Sequence, residues 1–237
     1  MADPAQKSSF SHGLVTAAPI AMGYFPIAFS FGVAATRAGL TGAEAVMLSV
    51  IIYAGASQFL ALALITSGAP FLVSAFTLVA MNIRHVLYGP ALMKRAGAGA
   101  GKRYAWLWAF GLTDEVFGAA LGALARRRAQ FSERFMFGLG LGAYAAWLAG
   151  TAAGALAGGG ALEGWPVLSA ALGFMLPALF LALLLSILSR AQVPVIAVAG
   201  TVTVAATLWA SPTAGILGGM VAGALVGVLG LGGRHAR

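Results

Sequence analysis

Residues 165–189 read WPVLSAALGFMLPALFLALLLSILS, with no charged side chain in the run. A helix rises 1.5 Å per residue, so about 20 residues cross a hydrocarbon core about 30 Å thick. The stretch is long enough to cross a bilayer as a helix. Polar and apolar residues do not alternate along it, which argues against a membrane β-strand. Comparable apolar segments lie on both sides, at 13–36, 42–66, 69–92, 104–125 and 135–158 before it, and at 193–210 and 212–231 after it. The last two are the shortest and are separated only by Ser211 and Pro212.

The whole chain has this character. Of 237 residues, 60% are hydrophobic and 8% are charged, and the mean hydropathy is +0.93. A soluble domain carries about 25% charged residues. A soluble globule, a disordered chain and a coiled coil are therefore excluded. The expected fold is an all-α polytopic membrane protein with seven to eight transmembrane helices. No composition shift marks a second domain, so 1–237 reads as one integral membrane domain. A polar tail at 1–12 and a basic tail at 232–237 flank it. The first apolar stretch lacks a cleavage site and reads as a retained span. There is no cysteine, which excludes disulfides, thiol catalysis and iron–sulfur ligation.

The net charge is +8, and the cations gather at the ends of apolar runs. This is the positive-inside pattern and not a nucleic-acid footprint. Lys94, Arg95, Lys102 and Arg103 precede segment 104–125, and Arg126, Arg127, Arg128 and Arg134 follow it. Both loops belong in the cytoplasm, yet a full crossing would separate them. Segment 104–125 is then either re-entrant or a full span with one misplaced basic loop. The re-entrant reading puts the N-terminus outside, Arg37 inside, the 67–70 loop and Glu163 outside, and the C-terminus in the cytoplasm. Glycines spaced by four, such as Gly138 and Gly142, Gly150 and Gly154, and Gly215, Gly219 and Gly223, let helix backbones approach closely.

Several polar groups interrupt the apolar runs. Pro19 and Pro26 flank Gly23 and Tyr24, and each proline removes a helical hydrogen bond. A broken first helix is expected, with its freed backbone facing the polar end of a small zwitterion; a simple kink is the alternative. Gly173–Pro177 echoes Gly23–Pro26 as a weak internal repeat. Ser57 and Gln58 offer hydrogen bonds on a tight helix face. Asn82, Arg84, His85 and Tyr88 follow in the third segment. Arginine in mid-membrane costs about 2.5–3.5 kcal/mol on insertion scales, so Arg84 needs a partner or an aqueous cavity. Asp114 or Glu115 can supply one, and an Arg84–Asp114 pair is expected; reaching to the interface is the alternative for Arg84. A carboxylate in a low-dielectric site must take a proton or pair with a cation, which suits proton relay or ammonium binding. Arg84, His85, Asp114 and Glu115 are therefore the candidate ion-pair and proton-coupling groups. Pro19, Gly23, Tyr24, Pro26, Ser57, Gln58 and Asn82 are the candidate substrate ligands. Phe25, Phe29, Phe59 and Phe174 could wall an aliphatic pocket. No P-loop, HExxH or paired-aspartate motif is present, and Gly-Ala-Ser at 55–57 is followed by Gln58, where a rhomboid-type serine needs glycine. No metal, cofactor or enzymatic activity is expected.

Four blocks resemble one family: Tyr53–Phe59 (YAGASQF), Asn82–Pro90 (NIRHVLYGP), Trp108–Phe117 (WAFGLTDEVF) and Ala171–Phe180 (ALGFMLPALF). Together they look like the AzlC/YgaZ family, in the right order over nearly the whole chain. The resemblance implies the large subunit of an exporter in the bacterial inner membrane. Its cargo would be valine, leucine and isoleucine, in some cases methionine. It also implies a small hydrophobic partner of the AzlD/YgaH type. With no ATP site in the chain, proton antiport is the expected drive: one charge moved through 100 mV is worth about 2.3 kcal/mol, roughly a fifty-fold gradient. A passive channel or facilitator for small zwitterions and a non-transporting scaffold subunit are the alternatives.

Overall fold

A computed structural model of the chain describes residues 9–97, 100–126, 132–160 and 164–229. Residues 1–8 of the polar tail, the basic tail 232–237, Arg127, Arg128 and Glu163 lie outside the described residues. The described residues form helices and no strand, so the all-α membrane fold stands. Among the described residues, three helical runs are long and apolar enough to cross a membrane: Phe10–Arg37, Phe71–Ala96 and Glu133–Gly158. A bent pair, Ala105–Gly111 with Asp114–Ala125, is a fourth candidate, and several shorter apolar helices accompany them.

The first helix corrects one expectation. α1 (Phe10–Arg37) runs unbroken, with Pro19 and Pro26 inside it. Membrane helices tolerate proline when neighbouring helices re-satisfy and support the backbone. Here the support comes from α8 (Glu133–Gly158), which lies along α1 for its whole length. A Cβ at Gly138 would clash with the Phe10 carbonyl, one at Gly150 with that of Phe25, and one at Gly154 with that of Phe29. The contacts ascend together along both helices, so the pair is parallel. The glycine spacing read from the sequence is thus used for backbone approach, as expected. Gly23, in contrast, has nothing within 4 Å of an added Cβ. Gly23→Ala should preserve both folded protein and transport, since helix interiors prefer alanine by about 0.5–1 kcal/mol. Loss of transport in that variant would revive the broken-helix reading.

The chain breaks elsewhere. α2 (Gly42–Ile51) starts from a capping box in which Thr41 and Glu44 bond each other's backbone. It runs down α8 from Ala155, near Gly42, to Tyr144, whose hydroxyl donates to the Val50 carbonyl at 3.0 Å. After Ile52–Ala54, α3 (Gly55–Thr66) reverses. A Cβ at Gly55 would meet the Trp147 ring at 2.7 Å, while Leu62 lies back with Ala45 and Ala155. Segment 42–66 is therefore a hairpin whose two ends share one end of the bundle.

α4 (Phe71–Asn82) passes through a 3-10 stretch, Ile83–Leu87, into α5 (Tyr88–Ala96). Pro90 explains the break, because its ring excludes a regular α-turn onto the carbonyl four residues back, at Val86. α6 (Ala105–Trp108) then runs alongside α8, from Glu133, which accepts from the Tyr104 amide at 2.8 Å, to Gly140, close to Gly111. The chain bends by 117° into α7 (Asp114–Arg126) and heads back. Gly101, Ser132, Glu133 and Arg134 line one cleft of about 770 Å³ together with Ser9, Phe10 and Ser11. Gly101 before segment 104–125 and Arg134 after it thus share one end of the bundle with the start of α1. This corrects the expected topology: α1 starts at the end that holds Arg134, and Arg37 lies at the opposite end.

The chain divides into two compact units, Met1–Thr66 with Leu78–Leu176, and Ser67–Thr77 with Pro177–Arg237. α9 (Pro166–Ile187) contributes to both. In the second unit α10 (Val193–Trp209) and α11 (Pro212–Val228) form an antiparallel pair. Gly215, Gly219 and Gly223 are its contact stripe: added Cβ atoms would come within 2.7 Å of the Thr203 carbonyl, 2.9 Å of the Ala199 carbonyl and 3.1 Å of the Ala199 Cβ.

Candidate functional site

The two hairpin tips meet at the middle of the first unit. Tyr53 sits at the tip of the α2–α3 hairpin and Thr113 at the tip of the α6–α7 hairpin. Tyr24, halfway along α1, joins them. Its hydroxyl lies 2.5 Å from Oε2 of Glu115 and 2.6 Å from Oγ1 of Thr113. Its ring stands edge-on to Trp147 and Tyr53, at centroid distances of 5.1 and 6.3 Å. Tyr53 also meets Tyr144 at 4.8 Å and Phe110 at 6.4 Å. The Tyr53 hydroxyl is buried and has no hydrogen-bond partner among the described residues. A buried hydroxyl left unpaired costs free energy, so this group is a natural acceptor or donor for a ligand.

Two polar chains buttress the centre. Gln58 is fully buried; its Nε2 donates to Ser49 Oγ at 2.7 Å, and its Oε1 accepts from Trp147 Nε1 at 2.6 Å. Ser49 and Thr151 hydroxyls are 2.7 Å apart. This network fixes the first hairpin against α8. Ser57 Oγ donates to Asn82 Oδ1 at 2.9 Å, and Asn82 Nδ2 donates to the Leu78 carbonyl at 2.9 Å. Gln58 therefore holds structure through both ends of its amide.

A charged cluster lies beside the second tip. Arg84 Nη2 is 2.8 Å from Asp114 Oδ2, which is the pair expected from the sequence. His85 Nε2 lies 3.9 Å from the other Asp114 oxygen, and the Tyr88 hydroxyl donates to that same oxygen. The Tyr88 ring stacks on Phe117 at 4.6 Å. The Arg84 and Asp114 side chains are 55% and 44% exposed, so the pair borders the outer surface of the described helices. Asp114 and Glu115 point to different partners, as adjacent helical residues about 100° apart must.

The sequence candidates separate accordingly. Tyr24, Ser57, Asn82, Arg84, His85, Asp114 and Glu115 all lie at or beside the hairpin tips. Pro19, Gly23 and Pro26 lie within unbroken helix. The four phenylalanines do not form one wall: Phe25 is 43% and Phe174 is 73% exposed, Phe59 packs on Phe31 at 5.3 Å, and Phe29 packs near Val33 and Leu172. A mostly apolar pocket of about 250 Å³ lies instead between the second hairpin and α8, lined among others by Trp108, Phe110, Gly111, Met136, Gly140 and Tyr144. Sequence reasoning missed Tyr53, Thr113, Tyr144 and Trp147. The available signal was tyrosine and tryptophan placed mid-segment, away from the membrane interfaces they usually favour. Among the described residues no group of three or more His, Asp or Glu could hold a metal ion.

Comparison with known proteins fits this picture. A family model described as AzlC protein matches residues 19–160. The inner membrane protein YgaZ of Escherichia coli (strain K12) is 44% identical over 224 residues, covering 94% of this chain and 91% of that protein. A membrane protein of Archaeoglobus fulgidus is 40% identical, covering 93% of this chain and 95% of that one. The branched-chain amino acid transport protein AzlC of Bacillus subtilis (strain 168) is 27% identical over 141 residues, covering 59% of this chain and 54% of that protein. No solved structure matches. With the family match spanning more than half its length and a near full-length relative at 44% identity, the chain is a membrane protein of the AzlC family.

Proposed function

We propose that the chain is the large subunit of a secondary exporter of branched-chain amino acids, and not an enzyme. It works with a small AzlD/YgaH-type membrane chain and is driven by proton antiport. The family and the name of the Bacillus subtilis relative support the cargo class. The single observation that carries the mechanism is Glu115, held by Tyr24 where two hairpin tips meet. A carboxylate there is suited to exchange a proton for the ammonium group of an amino acid. Ser57, Asn82 and Tyr24 are the other polar ligands in this reading. The pocket between Phe110 and Tyr144 takes the aliphatic side chain, in place of the four phenylalanines. Asp114, neutralised by Arg84, keeps the second tip in position, with His85 as a second proton group.

The basic loops go to the cytoplasm. Both hairpins are then re-entrant, the second from the cytoplasm and the first from outside, and α1 begins inside. If α9, α10 and α11 each cross, the C-terminus is also cytoplasmic. Reporters fused after Gly101 and after Ser132 should both report the cytoplasm; opposite sides would overturn the re-entrant reading. The function itself is tested in cells preloaded with a leucine-containing dipeptide. Expression of the chain with its small partner should speed leucine excretion severalfold, and Glu115→Gln should remove the gain. Excretion equal to that of cells lacking both chains would overturn the cargo reading.

A further inference from the structure

The two hairpins and the spans before them repeat one plan in opposite directions. α1 precedes a hairpin that enters from the end opposite the basic loops. The α4–α5 run precedes a hairpin that enters from the basic end. Adding 58 to Tyr24 and Ser57 gives Asn82 and Glu115. These four residues form two crossed bonds. Tyr24 of the first span holds Glu115 of the second hairpin, and Asn82 of the second span holds Ser57 of the first hairpin. The same offset of 58 relates Phe59 to Phe117, and each of these rings packs on a ring of its own preceding span, Phe31 or Tyr88. The offset of 58 thus relates the crossed bonds and the two hairpin rings, while the rings they pack on, Phe31 and Tyr88, stand 57 apart. This is a different repeat from the Gly23–Pro26 and Gly173–Pro177 resemblance.

From this symmetry we infer that residues 10–66 and 71–126 are an inverted repeat, that the space around the unpartnered Tyr53 hydroxyl between the two tips is the binding site for the transported amino acid's polar end, and that the crossed bonds Tyr24–Glu115 and Ser57–Asn82 are paired latches closing that site from its two sides. The inference rests on the transport reading for its ligand, but not for its geometry. Transporters built from inverted repeats bind substrate near the midplane, at the repeat interface, and expose it by moving one element against another. Here the movable elements are the hairpins. Each enters from one end of the bundle and is tied at its tip to one residue of the opposite repeat, the second hairpin to Tyr24 through Glu115 and Thr113, the first to Asn82 through Ser57. Losing the Tyr24 hydroxyl unlatches the second tip from the first repeat, leaving it held to its own span by Arg84, and opens the centre toward the basic end. Losing the Ser57 hydroxyl unlatches the first tip from the second repeat, leaving it held to α8 by Gln58, and opens the centre toward the other end. The two bonds differ in kind: the first involves a carboxylate, so protonation or an incoming ammonium group competes with it, whereas the second is neutral.

The absence of native cysteine makes the test direct. Ala54→Cys places one thiol at the first tip. Its labelling by a membrane-impermeant maleimide is timed in inverted and right-side-out vesicles. Tyr24→Phe, which keeps the ring, should raise labelling at least threefold from the basic-loop side and not from the other. Ser57→Ala should do the reverse. Glu115→Ala and Asn82→Ala repeat the test from the opposite partners if either first variant folds poorly. Both variants opening the same side, a change in only one of them, or no change in either would overturn the paired latches. Leucine at saturating concentration should slow labelling severalfold in the otherwise unmodified Ala54→Cys chain. Side-specific opening without that protection would leave the latches standing and overturn the ligand assignment alone.

Discussion

Exchanging the charges of the Arg84–Asp114 pair, Arg84→Asp together with Asp114→Arg, should recover transport that each single reversal abolishes. Each single reversal places two like charges where Arg84 Nη2 and Asp114 Oδ2 now stand 2.8 Å apart. An unpaired charge at membrane depth costs about 2.5–3.5 kcal/mol, roughly a hundredfold in the population of a correctly placed hairpin. Leucine export should therefore fall by about two orders of magnitude in either single variant. The double variant should regain part of it and not all. Arginine at position 114 would sit in the first turn of α7, where the helix dipole favours an anion. It would also lose the hydroxyl of Tyr88 as donor. Absence of any rescue, with the double variant folded, would mean that the pair is not what positions the second tip.

The second large effect is structural. Gly154→Val should prevent α1 from seating on α8 and reduce the yield of folded protein at least tenfold. The added Cβ would stand 2.7 Å from the Phe29 carbonyl carbon and 2.9 Å from its Cα. Both are backbone atoms and cannot swing away. Overpacking costs about 1–3 kcal/mol and sometimes more, and a backbone clash in a parallel helix pair belongs at the upper end. Gly118→Ala is the matched control, because nothing lies within 4 Å of its Cβ position. Equal yields of the two proteins by fluorescence-detected gel filtration would refute close approach at Gly154.

The sequence and the structure agree where one residue decides a local interaction. Arg84 had to be neutralised within an apolar run, and Asp114 does so. Glycines spaced by four had to serve backbone contact, and Gly138, Gly150 and Gly154 do so against α1. They part company where tertiary contacts outweigh local preference. Two prolines predicted a broken first helix, yet α8 supports α1 along its length. The first hairpin reverses at Ile52–Ala54, a stretch without proline or glycine, so nothing local announces the turn. Its cause lies in distant groups: Gln58 is bound by Trp147, and Val50 by Tyr144. The aromatic centre was hidden for the same reason, since its rings come from four separate segments. The re-entrant alternative for segment 104–125 kept the basic loops together, but with segment 42–66 counted as a crossing it set the start of α1 at the opposite end from them, whereas Ser9–Ser11 line one cleft with Gly101 and Arg134.

The most direct measurement is uptake of labelled leucine into inverted membrane vesicles that hold the chain with its small partner, under an imposed proton gradient. Leucine should accumulate above the external concentration, and this accumulation should collapse with an uncoupler and be absent from Glu115→Gln vesicles. Equilibration without accumulation, insensitive to the uncoupler, would contradict proton antiport and leave a facilitator. Absence of leucine flux with both chains folded in the membrane would contradict the central claim.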